Sequence, residues 1–239
     1  MRIALIGYGK MGKAIERIAL ERGHTIVSVI DIANKGDFAS EAFRSAEVAI
    51  EFTTPGTAVD NYLQCFAAGV PVVSGTTGWL DRWDEIRQIC IACNHTFFYA
   101  SNFSIGVNIF FALNKYLARV MNRFPAYEAH LTEIHHIHKA DAPSGTAITL
   151  AEGILENMPH KTGWRLAGTD GLPSELPIQA IREGEVPGTH EIVYESDIDS
   201  ICIRHEAKSR EGFALGAVIA AEFAAGRKGF LGMNDMLTF

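Results

Sequence analysis

Short apolar runs separated by amphipathic stretches fill the first hundred residues, the pattern of strands covered on both faces by helices. Arg2 to Ile6 reads as an apolar strand, an amphipathic helix follows to about Arg22, and Thr25 to Ile30 is a second strand ending at Asp31. A polar link, Asn34 to Ser40, leads to a third strand, Glu47 to Phe52, and then to a helix from about Thr57 to Ala68. Val70 to Ser74 is predicted as a fourth strand, Trp79 to Cys93 as a helix, and Thr96 to Ala100 as a fifth strand. The last three strands end in loops rich in Gly, Thr, Ser and Asn, and in a doubly wound parallel sheet those ends share the edge at which a ligand sits.

The pattern changes in the second half. A helix from Val107 to about Arg123 bridges to a second domain, and strand rhythm returns from Tyr127 to His138. There Leu131, Glu133, His135 and Ile137 share one face, and Thr132, Ile134, His136 and His138 the other. A helix to about Asn157 is predicted next, with Asp141 and Ser144 as capping residues and Pro143 in its first turn. Residues 160–177 read as a loop with little periodicity. Three strands follow, Ile178 to Arg182, Glu191 to Tyr194 and Ser200 to Glu206, which suits a mixed or antiparallel sheet. The last helix, Gly212 to Ala225, is apolar on most faces and should return to the first domain, since the tail after it is too short for a core of its own.

Composition narrows the function. The 239 residues carry a formal net charge of −7 with no basic block, which argues against nucleic acid as a partner. No apolar run is long enough to span a membrane and no signal peptide is evident, so a soluble cytoplasmic protein is expected. Of the four cysteines, Cys65 and Cys202 stand alone, while Cys90 and Cys93 form a C-x-x-C that closes a helix instead of opening one. These read as packing residues.

Two stretches carry candidate chemistry. Gly7-Tyr8-Gly9-Lys10-Met11-Gly12 lies between the first strand and first helix, and Asp31 ends the next strand. That order is the dinucleotide fingerprint: glycines let a pyrophosphate approach a helix N-terminus, and the acid accepts hydrogen bonds from ribose hydroxyls. The second stretch, EIHHIHKADAPSGTA at 133–147, delivers three imidazoles and the Lys139 ammonium to a helix start suited to a carboxylate or phosphate. His136 and His138 alternate as metal ligands often do, but Lys139 would repel a divalent cation and Asp141 is the only further ligand close by. Acid/base chemistry on a bound anion is therefore expected, with no metal.

Together with SGTTGW at 74–79, ASNFSIGVN at 100–108 and SREGFALGA at 209–217, these motifs closely resemble the 4-hydroxy-tetrahydrodipicolinate reductase (dihydrodipicolinate reductase) family, nearly end to end. The resemblance implies reduction of a cyclic unsaturated dicarboxylate on the diaminopimelate route to lysine, with a nicotinamide cofactor and a homotetrameric assembly. It further implies that His135 is a general acid/base, Lys139 the proton donor and His136 a substrate contact. Gly145 and Thr146 would clamp one substrate carboxylate with Ser144 beside them. Gly75, Thr76 and Thr77, and Ala100, Ser101, Asn102 and Phe103, would hold the cofactor near its nicotinamide.

The expected architecture is α/β. A Rossmann-type doubly wound parallel sheet (residues 1–104 and 212–239) binds the dinucleotide, and an α+β domain with a mixed sheet (105–211) binds substrate and oligomerises. Closure about hinges near Ser104 and Gly212 would complete the site. Asp31 disfavours a 2′-phosphate, and Ile32 follows it where some family members carry an Arg, so NADH is expected to serve at least as well as NADPH. Lys35 is the residue that would reverse this preference. Two rivals differ in what they require. An amino- or imino-acid dehydrogenase, such as an aspartate dehydrogenase, has no need of DAPSGT, and a non-catalytic nucleotide sensor leaves His135 and Lys139 idle.

Overall fold

The computed structural model describes residues 1–209 and 211–238, so Arg210 of the SREGFALGA stretch and Phe239 at the end of the expected first domain lie outside the described residues. The chain divides into two compact units, Met1–Ile105 with Glu211–Phe239, and Gly106–Arg210.

In unit 1 the elements alternate as β1 (Arg2–Ile6), α1 (Lys10–Glu21), β2 (Thr25–Ile30), α2 (Glu41–Arg44), β3 (Val48–Glu51), α3 (Pro55–Ala68), β4 (Val72–Ser74), α4 (Trp83–Ala92) and β5 (Thr96–Tyr99). After the second unit come α7 (Glu211–Ala224), β11 (Gly229–Leu231) and α8 (Met233–Leu237). The strands form one sheet, ordered β11-β5-β4-β3-β1-β2, in which every pairing is parallel. Alternation within β1 divides its side chains between two cores. Ile3 and Leu5 pack with Ile15 of α1 and Ala217 of α7, while Ala4 and Ile6 pack with Tyr62 of α3 and Ile86 of α4. Coverage on both faces explains why β1 is apolar from Ile3 to Ile6.

Several boundaries differ from the sequence reading for local reasons. The expected polar link, Asn34 to Ser40, lies largely within a 3-10 stretch over residues 32–39 that is kinked at Asn34 and started by the Asp31 side chain, which accepts from the Ile32 N–H at 2.8 Å. Ser40 then caps α2, and the buried Phe38 and Phe43 meet edge to face at 5.0 Å. Helix α3 begins at Pro55, whose missing N–H costs nothing in a first turn. Trp79 does not start a helix. It is buried, donates from Nε1 to the Thr76 carbonyl at 2.8 Å, and is followed by a 3-10 turn before α4. The sheet gains a sixth strand, β11, from the tail, because Gly229 to Leu231 pair with Thr96 to Phe98; three residues show no period to read.

Unit 2 holds most of α5 (Ile105–Met121), then β6 (Glu128–His135), α6 (Gly145–Leu155), β7 (Gly163–Leu166), β8 (Glu175–Arg182), β9 (Thr189–Glu195) and β10 (Ser200–Glu206). Its sheet is mixed, ordered β10-β9-β6-β8-β7, with β6 and β7 parallel to β8 and the other two pairings antiparallel. Leu131, Ile178, Ile192 and Tyr194 on one face form a core with Phe110, Ala118 and Met121 of α5 and Leu150 and Ile154 of α6. The stretch 160–177, expected as a loop, contains β7 and the start of β8, and Pro177 sits within β8 opposite Arg165. β6 stops at His135, three residues before the expected end. Ser144 alone caps α6, accepting from the Ala147 N–H at 3.2 Å, while Asp141 and Pro143 precede the helix.

Candidate active site

The dinucleotide fingerprint folds into a cleft in unit 1. β1 ends at Ile6 and the backbone turns at Gly7, whose φ of +89° suits glycine; a Cβ there would lie 2.1 Å from the Phe52 carbonyl oxygen. A Cβ on Gly12 would lie 2.2 Å from the Gly7 carbonyl oxygen, so the first turn of α1 rests on the turn itself. Gly9 caps α1 without a side-chain hydrogen bond, and a Cβ at Gly9 meets nothing within 4 Å. The first-turn N–H groups of a twelve-residue helix are thus left for a ligand at an open approach.

Two adjoining cavities share Gly9, Phe52 and Thr53. The first, about 260 Å³, is lined by Gly7, Tyr8, Asp31, Ile32 and Lys35 on one side and by Thr54, Thr57 and Asn61 on the other. The second, about 310 Å³, is lined by Lys10, Met11, Gly12, Gly75, Thr76 and Thr77. The predicted Ala100, Ser101, Asn102 and Phe103 line neither cavity. Phe103 is buried with its ring against Phe52 at 5.6 Å, and the Asn102 side chain accepts from the Ser104 N–H at 2.9 Å.

In unit 2, β6 carries Glu133 and His135 on the face that packs against the helices. Glu133 is fully buried, and a charge there requires partners. It lies against the ring Nδ1 of His135, forms an ion pair with Arg182 Nη2 at 2.9 Å, and accepts from the Ser144 N–H at 3.3 Å. Arg182 lies opposite His135 in the register, and its guanidinium also donates to the carbonyls of Asp141 at 2.6 Å and Lys139 at 3.3 Å. The arginine therefore ties the buried carboxylate to the loop that bears Lys139. His190, opposite Glu133 on β9, sets its ring 5.1 Å from that of His135 and its Nε2 3.2 Å from Ser144 Oγ.

Lys139 is paired with both oxygens of Asp141, at 2.8 and 2.9 Å, and this contact holds the Asp141 carboxyl below its ordinary range. His138 pairs with Glu185 at 3.1 Å on the surface. His136 is half-buried, Gly145 is exposed and Thr146 half-buried at the N-terminus of α6. The structure thus groups His135, Lys139, Ser144 and the start of α6 around Glu133 and Arg182.

Glu133, Arg182 and His190 were not among the residues singled out from sequence. Only Glu133 was signalled, as a charge placed on the same strand face as Leu131 and His135; Arg182 and His190 come from later strands that only the topology brings beside β6. The expectation that Asp141 is the only further metal ligand nearby is also corrected, since Glu133, His135 and His190 bring ligand atoms within 4.8 Å of one another. A guanidinium already at 2.9 Å from that carboxylate repels a divalent cation, which weighs against a metal there.

The cluster makes stability depend on pH. Burial, reinforced by the charge of His135, pushes His190 down from its ordinary 6.5 to about 4. Burial would raise the Glu133 carboxyl, but His135 and then Arg182 outweigh it and bring it from 4.5 to about 2. Both groups have folded values below their unfolded ones, so in each case the unfolded chain takes up protons first on acidification. The His190 contribution, about 3 kcal/mol at most, is full above pH 6.5 and lost as pH falls to about 4; that of Glu133 is lost between about 4.5 and 2. The thermal unfolding midpoint is expected to fall between pH 6.5 and 4, and less steeply in His190→Asn; a flat midpoint in the wild type across that window would contradict this assignment.

Residues 1–103 match the family described as "Dihydrodipicolinate reductase, N-terminus" and residues 106–237 the one described as "Dihydrodipicolinate reductase, C-terminus". The 4-hydroxy-tetrahydrodipicolinate reductase of Christiangramia forsetii is 50% identical over 242 residues, covering 100% of this chain and 98% of that protein. The enzyme of the same name from Archaeoglobus fulgidus is 34% identical over 261 residues, covering 99% and 100%. Among solved structures, a dipicolinate-bound dihydrodipicolinate reductase from Paenisporosarcina sp. TG-14 superposes with a TM-score of 0.78 over 98% of both chains at 23% identity, which shows the fold. With both halves matched and such identity over its full length, the chain belongs to the dihydrodipicolinate reductase family.

Proposed function

We propose that the protein reduces 4-hydroxy-tetrahydrodipicolinate to tetrahydrodipicolinate with NADH or NADPH, on the route to diaminopimelate and lysine. The observation that carries this reading is the placement of His135, against Glu133, and Lys139, paired with Asp141, on the strand and loop leading into the N-terminus of α6, in a chain whose other unit holds a dinucleotide cleft. The residues fit a dinucleotide. Gly9 leaves room at the start of α1 for the pyrophosphate, Asp31 faces the first cavity where a ribose would sit, and Thr76 and Thr77 line the second.

When bound, a reduced nicotinamide supplies the hydride. Loss of the substrate's hydroxyl as water gives a conjugated C=C–C=N ring, and hydride addition at its far carbon leaves an electron pair that must take up a proton. Lys139 donates that proton to the ring carbon, and His135, fixed by Glu133, poises the transfer. The backbone at Gly145 and Thr146 binds one carboxylate at the start of α6, beside Ser144, and His136 contacts the substrate. The sum balances: substrate, NAD(P)H and one proton give product, NAD(P)⁺ and water. NADH oxidation measured with and without freshly made substrate tests the reading; oxidation that ignores the substrate would refute it.

NADH is the proposed preferred donor. The Asp31 carboxylate lines the first cavity, and a 2′-phosphate brought against it is repelled. Lys35 lines the same cavity and is the residue able to offset that repulsion. The expected kcat/KM with NADH equals or exceeds that with NADPH, and Lys35→Ala lowers the NADPH value selectively. A large NADPH preference in the wild type would overturn the assignment and point to Lys35 or Lys10.

A homotetramer is the proposed assembly, its number supplied by the family resemblance. The sheet of unit 2 has α5 and α6 on one face, while the other bears Ile134 opposite Ile181, and Val193 between His130 and Cys202. Half-buried apolar side chains on such a face are suited to sheet-to-sheet packing. Light scattering is expected to show four chains, and a monomer at micromolar concentration would refute it.

A further inference from the structure

The first three strands of unit 1 that end at the cleft include one buried acid that the reaction does not use. Glu51 closes β3 and is fully buried, and among the described residues no Lys or Arg forms an ion pair with it. Three hydroxyls donate to it instead: Thr76 Oγ1 at 3.0 Å and Thr53 Oγ1 to one oxygen, and Ser74 Oγ at 2.6 Å to the other.

A hydroxyl has one proton, so giving it to Glu51 fixes what each oxygen does next. Thr76 Oγ1 accepts from the Thr53 N–H at 2.8 Å, which joins the loop after β3 to the loop after β4. Thr53 Oγ1 accepts from Thr57 Oγ1 at 3.1 Å and from Asn61 Nδ2 at 3.2 Å, which seats the first turns of α3. Ser74 Oγ accepts from the Thr76 N–H at 3.3 Å and, having spent its proton, from the Tyr62 hydroxyl at 2.7 Å. Burial, helped by the charge of Glu51, raises the Tyr62 pKa far above its ordinary value, so its donor proton is retained. One acceptor thereby sets the direction of the whole network.

Thr53, Thr57 and Asn61 line the first cavity, and Thr53 and Thr76 the second. We propose that Glu51 is a positioning residue for dinucleotide binding: by taking three hydroxyl protons it locks the loops after β3 and β4 in the arrangement that lines the cleft. The proposal rests on the reading of that cleft as the NAD(P)H site. It assigns Glu51 no contact with the reacting atoms.

Glu51→Gln tests it, because the amide keeps the shape but replaces an acceptor oxygen by a donor and forces at least one hydroxyl to turn away. NADH fluorescence titration is expected to show Kd raised about tenfold, with KM for NADH raised alike, while kcat at saturating NADH and KM for the dicarboxylate stay within about twofold. Ser74→Ala, which removes a donor behind the loops, is expected to raise the NADH Kd in the same direction by a smaller factor, and it carries the test if Glu51→Gln does not fold. Folded variants with NADH Kd within about twofold of wild type overturn the proposal, as does an equal rise in both KM values, which marks general damage. A wild-type protein that binds neither NADH nor NADPH sinks this proposal and the functional reading together; wild-type binding with unchanged variants sinks the proposal alone.

Discussion

Alanine at Lys139, or at His135, is expected to lower kcat by roughly 100-fold or more, the usual contribution of a positioned general acid or base. The Lys139 side chain is held by Asp141 on the loop anchored by Arg182, and His135 rests against the buried Glu133. Neither residue lines the two cavities of the dinucleotide cleft, so KM for the dinucleotide should hardly move. His136→Ala and Thr146→Ala are expected to act chiefly on the substrate KM, since they remove binding without removing the proton donor. If all four substitutions lower stability and activity together, the residues are structural. If a chelator abolishes turnover while Lys139→Ala is mild, the cluster holds a metal.

Glu133→Ala is expected to produce the largest loss of stability. The carboxylate has 0% side-chain exposure and stands between Arg182 at 21% and His135 at 10%, so its removal leaves the half-buried guanidinium without its counter-charge and the His135 ring without its partner. Breaking a buried pair in this way costs about 3 kcal/mol or more, because the remaining charge keeps its desolvation penalty. For a chain of this size that corresponds to a thermal midpoint lower by roughly 5–10 °C. The carbonyls of Lys139 and Asp141 lose their anchor when Arg182 shifts, so kcat should fall as well. Glu133→Gln, which retains an acceptor for Arg182, should be milder on both counts. A Glu133→Ala protein as stable as wild type would show that Arg182 is adequately solvated without its partner.

The parts of this arrangement that were legible in the sequence are those set by near neighbours. The turn from Gly7 to Gly12 and the acid at Asp31 are read from spacing alone, because strand, turn and helix follow one another directly. The two-faced strands of unit 1 are read from short runs that are mostly apolar, such as Ile3 to Ile6. What was not legible depends on distant partners. Arg182 and His190 join His135 only because β8 and β9 flank β6 in the sheet. β11 is three residues long and becomes a strand only because β5 offers a free edge. Trp79 looked like the start of a helix, yet the bond to the Thr76 carbonyl and the aromatic packing with Tyr62 and Phe97 bury it ahead of α4. Pro177 looked like the end of a loop and lies inside β8, a position that costs a sheet one donor. Glu51 lay unremarked within the predicted third strand and proved to be a buried acceptor, because Ser74 at the end of β4 and Thr76 just after it join Thr53 in donating to it.

The most direct test of the account follows the hydride itself. The wild-type protein is incubated with NADH deuterated at the reactive carbon of the nicotinamide, on the face that is transferred, and with freshly made 4-hydroxy-tetrahydrodipicolinate; the product is then analysed by mass spectrometry. The account predicts tetrahydrodipicolinate carrying a single deuterium, formed in step with NADH consumption and at a rate reduced by roughly 100-fold in Lys139→Ala. Product without deuterium, or a folded Lys139→Ala protein that forms labelled product at the wild-type rate, would contradict it.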